Sequence, residues 1–309
     1  MIEIVNLTKK YGNFTALDKL TLQIDAGVVF GVVGSNGAGK STTFSILATL
    51  LAPTEGYAKV NGFHIITEPE KVRASIGYMP DFFGVYDHFT VEEYLHFYGA
   101  SYKIPKVERL QLITQLLQLV NLENKRHEYV DLLSRGMKQR LCLARCLIHD
   151  PQVLILDEPA SGLDPRARVE MRDILKTLKS MGKTILISSH ILPELAEMCD
   201  EIGIINKGQL VARGNVAEIQ AKLTNEKEIV LKTLQQPAVV RSILEEIPEV
   251  SKISILEDEI HFFFSGDNRQ KAAVLKLLIN KNIEVISFAE KMSNLEDVFM
   301  EITKEVPLS

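Results

Sequence analysis

Val28-Val29-Phe30-Gly31-Val32-Val33 runs directly into Gly34-Ser35-Asn36-Gly37-Ala38-Gly39-Lys40-Ser41-Thr42. The first stretch is continuous, apolar and rich in β-branched residues, which predicts a strand buried on both faces. The second matches the P-loop pattern at all of its fixed positions: Gly34, Gly39, Lys40 and Ser41. Glycines let such a loop fold so that several N–H groups converge on one anion. A helix expected from about Lys40 to Leu50 points its positive dipole end at the same place. Lys40 can then reach the β- and γ-phosphates of a nucleoside triphosphate, and the Ser41 hydroxyl can take a place on Mg²⁺.

Further along, Val153-Leu154-Ile155-Leu156 ends in Asp157-Glu158. A short buried strand would deliver Asp157 at its carboxyl end, beside the P-loop, where a carboxylate can hold Mg²⁺ through water. Glu158 would stand where a general base polarises an attacking water.

Around these motifs, strands and helices alternate. Ile2 to Val5 and Leu20 to Ile24 read as short strands separated by turn signals. From about Asp87 to Asp150 the pattern is helical, and Leu110, Ile113, Leu117 and Val120 form an apolar stripe. A helix over Arg166 to Met181 and a strand over Thr184 to Ser188 follow. The alternation predicts a mostly parallel sheet with helices packed on it. Near Asn225 the character changes to a strand-helix-strand-strand-helix-strand order, from Glu228 to Phe288, that suggests a small ferredoxin-like appendage. A last amphipathic helix is expected over about Asn294 to Thr303.

Bulk properties narrow the functional classes. At 309 residues, 46% hydrophobic and 24% charged, the chain is an ordinary globular protein with room for two domains. A net charge of -5 lacks the basic footprint of a nucleic-acid-binding domain, so no nucleic-acid partner is expected. Cys142, Cys146 and Cys199 are too few and too irregular for a disulfide framework, which fits a reducing compartment. No run of eighteen or more apolar residues is present, so the chain is not expected to cross a membrane by itself.

Between and after the two phosphate-site motifs lie Leu133-Ser134-Arg135-Gly136-Met137-Lys138-Gln139-Arg140, Ser161-Gly162-Leu163-Asp164-Pro165 and Ser188-Ser189-His190. These resemble, in order and spacing, the signature segment, D-loop and switch histidine of the ATP-binding cassette family. The resemblance covers about Ile2 to Ile219. It implies a P-loop cassette core, with N-terminal antiparallel strands and a helical subdomain at about 87–150, that binds ATP with Mg²⁺ and hydrolyses it. By that resemblance Tyr11 stacks on adenine, and residues 34–42 hold the phosphates. Glu158 and His190 are catalytic, and Ser41 and Asp157 hold the metal. Ser134 and Gly136 act in trans on ATP held by a second copy, so a homodimer is implied.

Two segments depart from the family pattern, at three positions. Arg135 and Met137 stand where glycine and glutamine are usual. Asp81, in Ile76-Gly77-Tyr78-Met79-Pro80-Asp81, stands where glutamine is usual, and is carried as a further Mg²⁺ candidate. The tail segment Ser293 to Phe299 resembles the closing segment of cassette subunits that serve exporters of drugs, antibiotics or sodium.

The expected organisation is therefore a cassette core over residues 1–222 and a ferredoxin-like α+β domain over residues 226–309. It would act at the cytoplasmic face of the cell membrane, as a peripheral subunit powering a separately encoded integral membrane permease, most simply an exporter. The alternative is a soluble cassette ATPase acting on ribosomes or DNA. One cassette per chain and the lack of sustained heptads weigh against it.

Overall fold

The chain begins with a long antiparallel pair, β1 (Ile2–Tyr11) and β2 (Phe14–Ile24), joined through Gly12-Asn13. Both strands exceed their sequence expectation. Irregularities in the pairing between Ile4 and Leu7 and between Leu7 and Lys9 keep Leu7 buried while Lys9 and Lys10 turn outward, which hides the period-2 alternation. β4 (Glu55–Val60) pairs with β1, and β5 (Phe63–His64) with β4, completing a four-stranded antiparallel sheet.

The computed structural model describes residues 1–82, 84, 88–215, 218–219 and 227–290. The chain divides into two compact units, Met1–Val216 and Ala217–Ser309.

A six-stranded sheet forms the heart of the first unit, in the order β10-β9-β3-β8-β7-β6. Its strands are β3 (Val29–Val33), β6 (Ile76–Met79), β7 (Val153–Leu156), β8 (Thr184–Ser189), β9 (Glu201–Asn206) and β10 (Gln209–Gly214). Only β10 runs antiparallel to its neighbour. Every residue of β3, β7 and β8 is buried, as a strand covered on both faces requires. In such a sheet the carboxyl ends of adjacent parallel strands share one edge, where ligands of open α/β sheets bind.

Helices α1 (Lys40–Leu47), α2 (Pro69–Ser75), α6 (Pro165–Ser180) and α7 (Leu192–Met198) accompany the strands. Phe30 of β3 and Phe44 and Leu47 of α1 join the side chains of the antiparallel sheet in one buried cluster. Each such large apolar side chain contributes about 1.5–3 kcal/mol through burial.

Between β6 and β7 lie α3 (Val91–Ser101), α4 (Lys106–Leu119) and α5 (Arg135–Leu147). Thr90 and Glu93 cap α3 reciprocally. Along α4, Ile113 and Leu117 are buried and Val120 closes the stripe, but Leu110 is 41% exposed. The buried face of α4 is thus narrower than its apolar stripe.

Over residues 227–290 the second unit is a four-stranded antiparallel sheet, β12-β13-β11-β14, with two helices. Its elements are β11 (Lys227–Thr233), α8 (Pro237–Leu244), β12 (Val250–Leu256), β13 (Glu259–Phe264), α9 (Asn268–Asn280) and β14 (Val285–Glu290). That element order with this strand order is the ferredoxin-like arrangement. Alternate residues of β13, Ile260, Phe262 and Phe264, are buried with Val240 and Leu244 of α8 and Val274 and Leu278 of α9. The helix expected over Asn294 to Thr303 and the segment Ser293 to Phe299 lie outside the described residues. Among the described residues no helix is long and apolar enough to cross a membrane.

Candidate nucleotide-binding site

Four segments leave the carboxyl ends of parallel strands at one edge of the sheet: the P-loop from β3, Asp81 after β6, Asp157-Glu158 from β7, and His190 from β8. They border a cavity of about 370 Å³, within the range of small-molecule sites. Its lining takes in Ser35, Asn36, Gly37, Gly39, Lys40, Ser41 and Thr42 from the loop and first turn, and Tyr11, Asp81, Glu158 and His190 from elsewhere.

The loop is held in its cradle shape by its own backbone and by the chain around it. Gly39 caps α1 at φ 107°, and a side chain there would meet the Ala16 carbonyl oxygen at 2.8 Å, so only glycine fits. Ala38 donates its N–H to the Ser35 carbonyl at 3.1 Å and accepts from Gly208 N–H at 2.9 Å. Gly34 and Ala38 do not themselves line the cavity. Ala38 is buried, and Gly34 supplies the carbonyl that accepts from Lys40.

Lys40 is 6% exposed, and its Nζ donates to the Gly34 oxygen at 2.7 Å and the Ser35 oxygen at 3.3 Å. It also lies 3.6 Å from Glu158 Oε1. The other Glu158 oxygen, Oε2, is 2.9 Å from His190 Nδ1. Glu158 thus sits between a buried ammonium and a half-exposed imidazole, with its own side chain only 10% exposed. Its backbone is left-handed, at φ 51°, a conformation costing a non-glycine residue roughly 1–3 kcal/mol. Strain of that kind is retained where the surroundings over-determine a functional geometry.

Asp157 lies just behind the cavity wall and is 2% exposed. Burial pushes its carboxyl above the usual carboxylate range, with smaller contributions from the charges of Asp81 and Glu158. Hydrogen bonds from Ser188 and Ser41 work in the opposite direction. Among the described residues no three His, Cys, Asp or Glu side chains gather to hold a metal ion. Mg²⁺ does not need such a group, because one carboxylate, a hydroxyl, waters and phosphate oxygens complete its shell. A buried carboxylate hydrogen-bonded to the Ser41 hydroxyl, and burdened by neighbouring negative charge, fits that ion.

Sequence reasoning missed three contributors. Ser188, fully buried, hydrogen-bonds both Asp157 and the Glu158 backbone. Its signal was a hydroxyl at the end of an apolar strand. Phe14 lines the cavity opposite Tyr11, its partner across the β1–β2 turn, and Ser161 reaches it from the segment before α6. Tyr11 is 48% exposed, with Lys9 Nζ 5.2 Å from its ring centre. Ser134 and Gly136 do not line this cavity. Ser134 caps α5, its hydroxyl accepting from Met137 N–H at 3.3 Å, and is exposed on the surface.

A family model described as ABC transporter matches residues 17–161. The chain is 37% identical over 228 residues to the probable multidrug ABC transporter ATP-binding protein YbhF of Escherichia coli (strain K12), a match covering 74% of this chain and 39% of that protein. It is 32% identical over 306 residues to Nod factor export ATP-binding protein I of Ralstonia nicotianae, covering 98% of this chain and 94% of that one. A dimeric structure of a post-hydrolysis state of the ATP-binding cassette MJ0796, bound to ADP and Pi, superposes with a TM-score of 0.63 at 26% identity, covering 70% of this chain and 99% of that chain.

Proposed function

The chain belongs to the ABC transporter family, and from that premise we propose that it is an ATP-binding and ATP-hydrolysing subunit that works as a homodimer to power a separately encoded membrane permease, an exporter. One observation carries the reading: Lys40, Glu158 and His190 converge on the P-loop cavity from three different strands of one sheet. Nothing in packing alone calls for that convergence.

The chemistry follows from the positions. In the nucleotide complex Lys40 exchanges its loop carbonyls for β- and γ-phosphate oxygens, gaining charge-assisted hydrogen bonds in a partly enclosed site. Ser41 and Asp157 would hold Mg²⁺, with Asp81 as a further ligand, and the ion would supply positive charge against the phosphates. Once the phosphate draws Lys40 away, the Glu158 carboxylate is free to accept a proton from the attacking water. His190, hydrogen-bonded to that carboxylate, orients the water and the γ-phosphate. Tyr11 receives the adenine. Exposed Ser134 and half-buried Gly136, at the start of α5, engage the nucleotide of the second copy.

The permease partner is supported by a second groove of the first unit, about 240 Å³, where Arg73 and Arg145 lie among Tyr78, Tyr98 and Tyr102. Leu50, Phe97 and Phe82 are exposed, Phe82 to 90%. Leu50 lines this groove with the two arginines, and exposed apolar side chains of this kind suit a protein partner. The exporter assignment takes its support from the printed names of the relatives, one of them for multidrug transport and one for Nod factor export. Neither is named for ribosomes or DNA. In this reading the subunit is peripheral, at the cytoplasmic face.

Calorimetric titration with Mg-ATP tests the binding core. Wild type should bind, and Lys40→Ala should bind roughly 10- to 100-fold more weakly, as expected for losing a charged hydrogen-bonding group. Equal affinities would remove Lys40, and with it this cavity, from nucleotide binding.

A further inference from the structure

Glu194, in the first turn of α7, is 8% exposed and divides its carboxylate between two segments that lead to the nucleotide cavity. Oε2 accepts from the Ser189 hydroxyl at 3.2 Å. The same Ser189 oxygen accepts the Ile191 N–H at 3.0 Å, closing a tight turn with His190 at its centre. The other carboxylate oxygen, Oε1, lies 3.3 Å from Arg168 Nη1. Arg168 Nη2 in turn donates to the Leu163 carbonyl at 3.1 Å. Leu163 belongs to the segment that follows Glu158, in which Ser161 lines the cavity and donates its N–H to the Glu158 carbonyl at 3.0 Å.

These contacts form a ring. One arm runs from Glu194 through Ser189 to His190, and the other through Arg168 and Leu163 back to Glu158. The 2.9 Å contact between His190 Nδ1 and Glu158 Oε2 closes it. Packing does not account for a carboxylate at the junction, because a well-packed apolar residue in place of a buried ion pair is often neutral or stabilising. Nor is Glu194 needed to tie α7 down. Leu192, Leu195 and Met198 of α7 are buried, and Arg172 of α6 pairs with Glu197 of α7 at 2.8 Å. What an apolar residue could not do is accept from Ser189 and pair with Arg168 at once.

Resting on the reading of Glu158 and His190 as the groups that handle the attacking water, we propose that Glu194 is a positioning residue for ATP hydrolysis. It sets the His190–Glu158 contact through Ser189 on one side and Arg168 on the other. Glu194 itself does not line the nucleotide cavity. Lys40 and the P-loop follow β3 and lie outside the ring, so ATP binding does not depend on Glu194. Hydrolysis does, because a misplacement of about 1 Å at reacting groups can lower a rate by about 10²-fold.

The experiment measures steady-state phosphate release on the full chain, with the permease present if the subunit alone is inactive. Wild type, Glu194→Gln, His190→Ala and the double variant are compared. Glu194→Gln keeps the size of the side chain and a hydrogen bond to Ser189 but loses the ion pair with Arg168. The expected result is a kcat lowered roughly 10- to 100-fold, with KM for ATP changed by less than about twofold. In the double variant the loss should be no greater than in His190→Ala alone, because both changes undo the same contact. Arg168→Gln cuts the same arm from its half-exposed end and should repeat the pattern, which keeps the test open should Glu194→Gln fold poorly. A wild-type kcat in Glu194→Gln overturns the proposal. So does a loss that multiplies in full with His190→Ala, or one carried by KM, since Glu194 would then serve the fold at large. If His190→Ala alone hydrolyses at the wild-type rate, the assignment of His190 fails and the proposal falls with it. A slow His190→Ala beside an unaffected Glu194→Gln removes the proposal alone, which separates the two failures.

Discussion

The Ser188 hydroxyl donates to the Asp157 carboxylate at 2.5 Å, and the same oxygen accepts the Glu158 N–H at 2.9 Å. One side chain on β8 thus fixes two adjacent residues at the end of β7, in the stretch where Glu158 holds its left-handed backbone. Ser188→Ala should leave the fold intact and cost about 1–3 kcal/mol, the penalty for buried groups left without a partner. It should also raise the Mg²⁺ concentration needed for ATP binding. Chemical denaturation and a metal titration of ATP affinity check the two parts, and a Ser188→Ala protein as stable as wild type would show that the bridge holds nothing in place.

Asp157 predicts a pH dependence of opposite sign to the usual carboxylate. Its folded carboxyl is raised above the unfolded value by burial. Both states are protonated at low pH. As pH climbs from the ordinary carboxylate range through the raised folded value, the unfolded chain ionises first, so the Asp157 contribution falls and then stays low. Asp157→Asn should remove this dependence and stabilise the nucleotide-free protein at neutral pH by roughly 0.5–2 kcal/mol. It should also lose Mg²⁺-dependent ATP binding. Melting curves across the acidic range, with and without Mg-ATP, decide this; a destabilised Asp157→Asn protein would contradict it.

Much of this was legible in the sequence for physical reasons. A strand buried on both faces has little choice but to be continuously apolar, so β3 and β7 announced themselves, and the P-loop followed from its glycines. Ser188 was hidden because a buried hydroxyl reads as an ordinary polar residue until its partners come from another strand. The full length of β1 was hidden because its irregular pairing breaks the alternation on which strand reading depends. Phe14 was missed because its place opposite Tyr11 is set by the turn between two strands, and no motif marks it.

The domain boundary gives a separate expectation. Each unit has its own buried cluster, one around Phe30 and Phe44 and the other around Ile229, Phe262 and Phe264. A chain ending after Thr224 should therefore fold and bind Mg-ATP with wild-type affinity, since a compact part with its own core can stand alone. Circular dichroism and calorimetry on that fragment check it. An unfolded or non-binding fragment would make the second unit part of the core's stability.

The central claim is that Glu158 is the general base of an ATPase whose site is completed by a second copy. Glu158→Gln keeps the size and hydrogen-bonding reach of the side chain but removes its basicity, and general-base contributions are typically about 10²- to 10⁴-fold in rate. ATP binding rests on Lys40, Ser41 and Asp157 and should barely change. The decisive measurement is gel filtration in Mg-ATP beside a steady-state phosphate-release assay, with the permease present if the isolated subunit is inactive. The account predicts an ATP-bound Glu158→Gln dimer that persists and releases phosphate at least about 10²-fold more slowly than wild type, whose dimer should be transient. Phosphate release at the wild-type rate would contradict the assignment of Glu158, and a stalled variant that remains monomeric would contradict the shared site.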